Sequence, residues 1–99
     1  MFYKVVTSDL KSLGLRRNPT ILIYPINHWV EDFHKEYNNR DDGGIWVVNS
    51  LGNARKIVKY MREKSVMCRI FECQIGEILY GNSYRVKTNK VKLTKEIHL

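Results

Sequence analysis

The sequence predicts an α+β domain: a mixed or mainly antiparallel sheet of about six strands with one main helix, at about 50–64, packed on one face. Three observations support this. Runs of β-branched and aromatic residues follow one another along the 99 residues with little helical periodicity between them, a pattern that favours strand-to-strand pairing over alternating βαβ units. One stretch, Leu51–Met61, changes period: Leu51, Ala54, Val58 and Met61 fall on one helix face with Ile57 on the flank, so an amphipathic helix is expected there. There is no internal repeat, and the length suits a single domain with a substantial core.

In chain order, Phe2–Thr7 is a first strand broken only by Lys4. Ser8–Leu15 is a short helical turn or loop, in which Ser8 is a cap and Gly14 a left-handed stop. Arg16, Arg17 and Asn18 precede Pro19, which holds Asn18 extended. Thr20–Tyr24 is apolar at nearly every position and stops at Pro25, as a buried second strand would. Over Ile26–Tyr37, Trp29 or Val30, Phe33 and Tyr37 suit one face of a short helix or irregular segment capped by Asn27. Asn38–Gly44 (NNRDDGG) is a turn-rich linker.

Ile45–Val48 then reads as a central strand buried on both faces, feeding the helix through Asn49 or Ser50 as cap. Val66–Ile75 is a further strand whose alternation sets Met67, Arg69, Phe71 and Cys73 against Cys68, Ile70 and Glu72. Glu77–Tyr80 and Tyr84–Lys87 flank a tight turn at Gly81-Asn82-Ser83. In the last strand Val91, Leu93, Ile97 and Leu99 face inward with Lys95 out of pattern, while Lys90, Lys92, Thr94, Glu96 and His98 face water.

Composition narrows the functions. The net charge is +7, and it is segregated: Asn27–Asp42 holds five acids against two basic residues, which leaves fifteen basic residues against five acids elsewhere. Such a balance points to an acidic partner such as nucleic acid. No apolar run is long enough to span a membrane, and Lys4 and Asp9 stand where a signal peptide would need an apolar stretch, so a cytoplasmic location is expected. Cys68 and Cys73 are five apart on one strand, point to opposite faces and should not pair. No Cys-x-x-Cys is present and His28, His34 and His98 are scattered, so no metal site is expected. Neither a Walker A nor a Gly-x-Gly-x-x-Gly pattern calls for a cofactor.

The candidate site residues are Arg55, Lys56, Lys59 and Arg62 on the outer helix face, with Arg16 and Arg17 in the loop; Arg85, Lys87, Lys90 and Lys92 join them if the fold brings them together. Tyr60 or Tyr84 would then stack on bases. The plainer alternatives are a solvated helix face and lysines that protect an edge strand. Asn49–Asn53 (NSLGN) opens a helix and could bind an anion there, although capping and turn needs already account for Ser50 and Gly52. Catalytic material is sparse: Asp41, Asp42, Glu72 and Glu77 form no paired constellation, Ser50 lacks a nucleophile-elbow pattern, and His28 beside Trp29 suits an aromatic pair better than a base.

The opening FYKVVTSDLKSLGLRRNPTILIYPINHWV, together with GGIWVV, resembles a family of small uncharacterised proteins of filamentous archaeal viruses, of the lipothrixvirus and rudivirus kind. That resemblance implies a virus-encoded, heat- and acid-resistant accessory protein acting inside the host. Phe2-Tyr3-Lys4, Asn49-Ser50 before a helix with Ala54, and Lys95-Glu96-Ile97 are similar in layout to degenerate ADP-ribosyltransferase domains. This second likeness implies an enzyme with Glu96 as its late acid. The sequence favours a non-enzymatic module that binds nucleic acid or a host macromolecule through its basic surface. The alternative is a dimerising or protein-interaction module using Trp29, Phe33 and Tyr37, and an ADP-ribosyltransferase-like enzyme stands third.

Overall fold

The computed structural model describes residues 1–14, 21–32 and 44–98. They form seven strands and one helix: β1 (Phe2–Thr7), β2 (Trp29–Glu31), β3 (Ile45–Val48), α1 (Leu51–Glu63), β4 (Cys68–Ile75), β5 (Ile78–Gly81), β6 (Arg85–Thr88) and β7 (Lys90–Ile97). The strands make one sheet in the order β2-β7-β4-β1-β3-β6-β5. Every neighbouring pair is antiparallel. The fold is the expected α+β class, with one strand more than the sequence suggests.

The sheet separates two apolar layers. On one side α1 lays Ala54 and Val58 over Val5, Val48 and Ile70, with Ile57, Cys68 and Ile97 at the margin. On the other side Val6, Ile45, Val47, Phe71, Val91 and Leu93 pack together beneath Leu10, Leu22 and Tyr24. The helix begins where expected: Ser50 is extended and its Oγ accepts from the Asn53 N–H at 3.2 Å, which satisfies one of the first-turn donors. The cysteines are free and face opposite layers, as their odd separation requires.

Three segments differ from expectation. Ile21–Tyr24 is not a buried strand: Ile21 and Ile23 are about half exposed or more, and pairing is limited to an isolated Lys11–Ile23 bridge. The segment instead lies over the sheet as a strap, tied by Ser12 N–H to Leu22 O and Tyr24 N–H to Leu10 O. Its apolar side chains divide between core and solvent, a split that composition alone does not reveal. The segment from Ile26, expected as a short helix or an irregular stretch, begins with a turn in which Asn27 has φ +65°, and the chain then enters the edge strand β2 at Trp29. Phe33 and Tyr37, the other members of that helix face, lie outside the described residues.

The parity of β7 also changes within the strand. Cys73 pairs with Leu93 and Glu72 with Lys95, which leaves Thr94 as an extra residue whose hydroxyl donates to Glu72 O at 3.0 Å. Such a bulge turns the following side chains over. Val91 and Leu93 therefore enter one layer and Ile97 the helix layer, while Glu96 faces away from the helix to meet Arg69. The out-of-pattern Lys95 marks the bulge. Leu99 lies outside the described residues.

Candidate nucleic-acid interface

The helix is built to show its charge. Burying Ala54, Val58 and Met61 forces the intervening positions outward, and Arg55, Lys56, Lys59, Arg62 and Lys64 are all exposed. Glu63 is the sole acid of α1. Among the described residues the ion pairs are Lys11–Asp9 and Arg69–Glu96, so no helix cation is neutralised by one. Tyr60 is exposed beside this face, with Lys64 Nζ 4.7 Å from its ring centroid.

Side-chain alternation places further cations on the same side of the sheet. Val86, Val91 and Val30 point into the layer opposite α1, so their neighbours Arg85, Lys87, Lys90, Lys92 and Trp29 point to the helix side. Two groups result, on the flanks of the sheet. On β2 and β7, Trp29 is 42% exposed and carries Lys90 Nζ at 4.7 Å and Lys92 Nζ at 5.7 Å from its ring centroid. His28 makes no ring contact with it among the described residues.

On β3, β5 and β6 the arrangement is different. Arg85 stacks 4.3 Å from the Trp46 ring centroid, Lys87 Nζ lies 5.5 Å from it, and Tyr80 meets the same ring edge-on at 5.8 Å. Arg85 and Lys87 are 9% and 1% exposed, so these two sequence-selected cations are structural and offer little to a partner. The Lys87 stem also explains Gly44, which has φ +81° and would bring any Cβ to 2.5 Å from it. Tyr84 is exposed beside Arg85, in a turn braced by Asn49 Nδ2 donating to Ser83 O.

The sequence-selected cations thus divide four ways, the buried Arg85 and Lys87 being one group. Arg55, Lys56, Lys59 and Arg62 share one exposed helix face. Lys90 and Lys92 stand on the same side with Trp29, which the sequence sets in a short helix or irregular segment. Arg16 and Arg17 lie outside the described residues, as do Asp41 and Asp42. The helix start is occupied by its own structure, since Ser50 caps Asn53 and Asn49 holds the β5–β6 turn. Glu96 is gripped by Arg69 through Nε at 3.0 Å and Nη2 at 2.7 Å, and these bonds hold its carboxyl below the usual range. Among the described residues no group of three His, Cys, Asp or Glu side chains is placed to hold a metal, and no helix is long and apolar enough to cross a membrane.

A second polar feature has little signature in the sequence. β1 pairs with β4 at six consecutive positions but with β3 only at Tyr3–Val48. The gap holds Lys4, which is 8% exposed. Its Nζ donates to Trp46 O at 2.8 Å and lies 5.4 Å from the Tyr24 ring centroid. Burial lowers the ammonium to about 8, against a smaller opposing effect of Cys73. The signal was a single charge in an otherwise apolar strand. No family model matches this chain, and neither a curated protein nor a solved structure shows significant similarity to it.

Proposed function

We propose that this protein is a non-enzymatic nucleic-acid-binding module that engages single-stranded DNA or RNA on the helix side of its sheet. The observation behind this is the outer face of α1, where Arg55, Lys56, Lys59 and Arg62 are exposed and lie in no ion pair among the described residues. Four cations on one face neutralise phosphates and release counterions, a term that depends on charge more than sequence. Trp29, exposed on the same side and flanked by Lys90 and Lys92, supplies a ring for base stacking with backbone charge beside it, the combination that favours single strands.

The test is fluorescence anisotropy with a labelled oligothymidylate at low salt. The parent protein should bind, and Lys59→Glu with Arg62→Glu should weaken binding at least about tenfold and flatten its salt dependence, since each lost phosphate contact removes about 0.7 from the logarithmic slope. Failure of the parent to bind any single-stranded oligonucleotide at low salt would refute the proposal. Salt-insensitive self-association in light scattering would instead favour a dimerising module built around Trp29.

A further inference from the structure

The gap between β1 and β3 opens into a cavity of about 120 Å³ that passes through the plane of the sheet. Ile57 and Arg85 line it from the helix side, and Ser12, Leu22 and Tyr24 from the other. An engineered protein cavity of about 150 Å³ holds benzene, so the space suits a compact organic molecule. Its walls are largely aliphatic and aromatic, as binding pockets usually are.

The polar groups on this wall define what would fit. Lys4 has three ammonium donors and, among the described residues, one hydrogen-bond acceptor, Trp46 O. A buried ammonium in that state is costly unless an acceptor with opposite charge reaches it. Asp32 also lines the cavity, with its Oδ2 accepting from the Gly44 N–H, and Arg85 stacks on Trp46. A phosphate dianion needs more donors than one amine supplies, whereas a carboxylate offers its two oxygens to the single ammonium.

We propose that this gap is a binding site for a small monocarboxylate with a compact apolar body, its carboxylate on the Lys4 ammonium and its body against Leu13, Leu22 and Ile57. The carboxylate supplies the acceptors that Lys4 lacks, and the body fills aliphatic space between the strands. The site is separate from the helix cations and does not depend on nucleic-acid binding.

Calorimetry and amide chemical-shift mapping at pH 7 with benzoate, and with benzyl alcohol as its uncharged analogue, test this. Benzoate should bind at least tenfold more tightly than benzyl alcohol, with the largest shifts at Lys4, Trp46 and Leu22. Lys4→Met should abolish that preference and leave benzyl alcohol binding unchanged. Lys59→Glu with Arg62→Glu should leave benzoate binding intact, which separates this site from the helix surface. No benzoate binding, equal binding of both probes, or a preference that survives in Lys4→Met overturns the proposal. Should Lys4→Met not fold, the parent's shift map decides: benzoate shifts confined to α1 and absent from Lys4 and Trp46 overturn it equally.

Discussion

Strand β6 and helix α1 both bring cations to the same side of the sheet, and packing gives those cations opposite roles. Arg85 and Lys87 flank Val86 on a strand inside the sheet, where Trp46 and Tyr80 cover them and their alkyl stems become core. Arg55, Lys56, Lys59 and Arg62 stand on the far side of a helix whose inner face is already filled. Formal charge is equal in kind at both places. Availability differs because a strand in mid-sheet can be covered on either face, whereas the outward face of a single packed helix meets only solvent or a partner.

Truncation should separate the two regions most sharply in stability. Lys87→Ala removes a side chain that is 1% exposed and packs against Gly44 and Trp46, and should cost about 2–4 kcal/mol in chemical denaturation. The folded fraction should still bind oligonucleotide within about twofold of the parent. Lys59→Glu with Arg62→Glu should do the reverse, leaving stability within about 0.5 kcal/mol. If Lys87→Ala weakened binding as much as the helix reversal, the distinction between covered and offered charge would fail.

Trp29→Ala probes the stacking half of the surface. It should weaken single-strand binding by about 1–3 kcal/mol, the range for loss of one base–aromatic stack, with little change in salt slope. A change in slope with no loss at high salt would mean that Trp29 acts only by positioning Lys90 and Lys92.

Lys4 extends the comparison to a cation buried without a full set of partners. Its folded value of about 8 lies below the ordinary 10.5, so above pH 8 the unfolded chain holds the extra proton and stability rises with pH. Cys73 acts in the opposite sense: burial raises it from 9.0 to about 12, so above pH 9 the folded chain holds the extra proton and stability falls. Tyr24, raised from 10.0 to about 12, chiefly by burial, adds to that fall above pH 10. Stability should therefore climb by about 1 kcal/mol between pH 7.5 and 9 and then level or decline. In Lys4→Met the climb should vanish while the alkaline decline remains. Ser50→Ala, which removes the Oγ that accepts from Asn53, should cost about 1 kcal/mol without affecting either binding surface.

The sequence made some of this legible for clear physical reasons. β1 and β3 are short runs rich in β-branched and aromatic residues and the helix follows a period of 3.6, and their bounds emerge almost as drawn because each pattern is compact and sharply bounded. The helix cations were equally legible, as the complement of Ala54, Val58 and Met61. β2 is hidden because three edge residues carry too little pattern to separate a strand from the short helix or irregular segment that the sequence suggests around Trp29. The burial of Arg85 and Lys87 depends on Trp46 and Tyr80 arriving from two other strands. The open β1–β3 junction likewise depends on pairing register across more than forty residues of chain, which local periodicity does not encode.

The central claim, that the exposed face of α1 meets phosphate, is most directly tested by the salt dependence of oligothymidylate binding to the parent protein between 50 and 200 mM. Four helix cations, each contributing about 0.7, predict a slope of log affinity against log salt of about −3 or steeper. A slope near zero, or no binding at 50 mM, would contradict it.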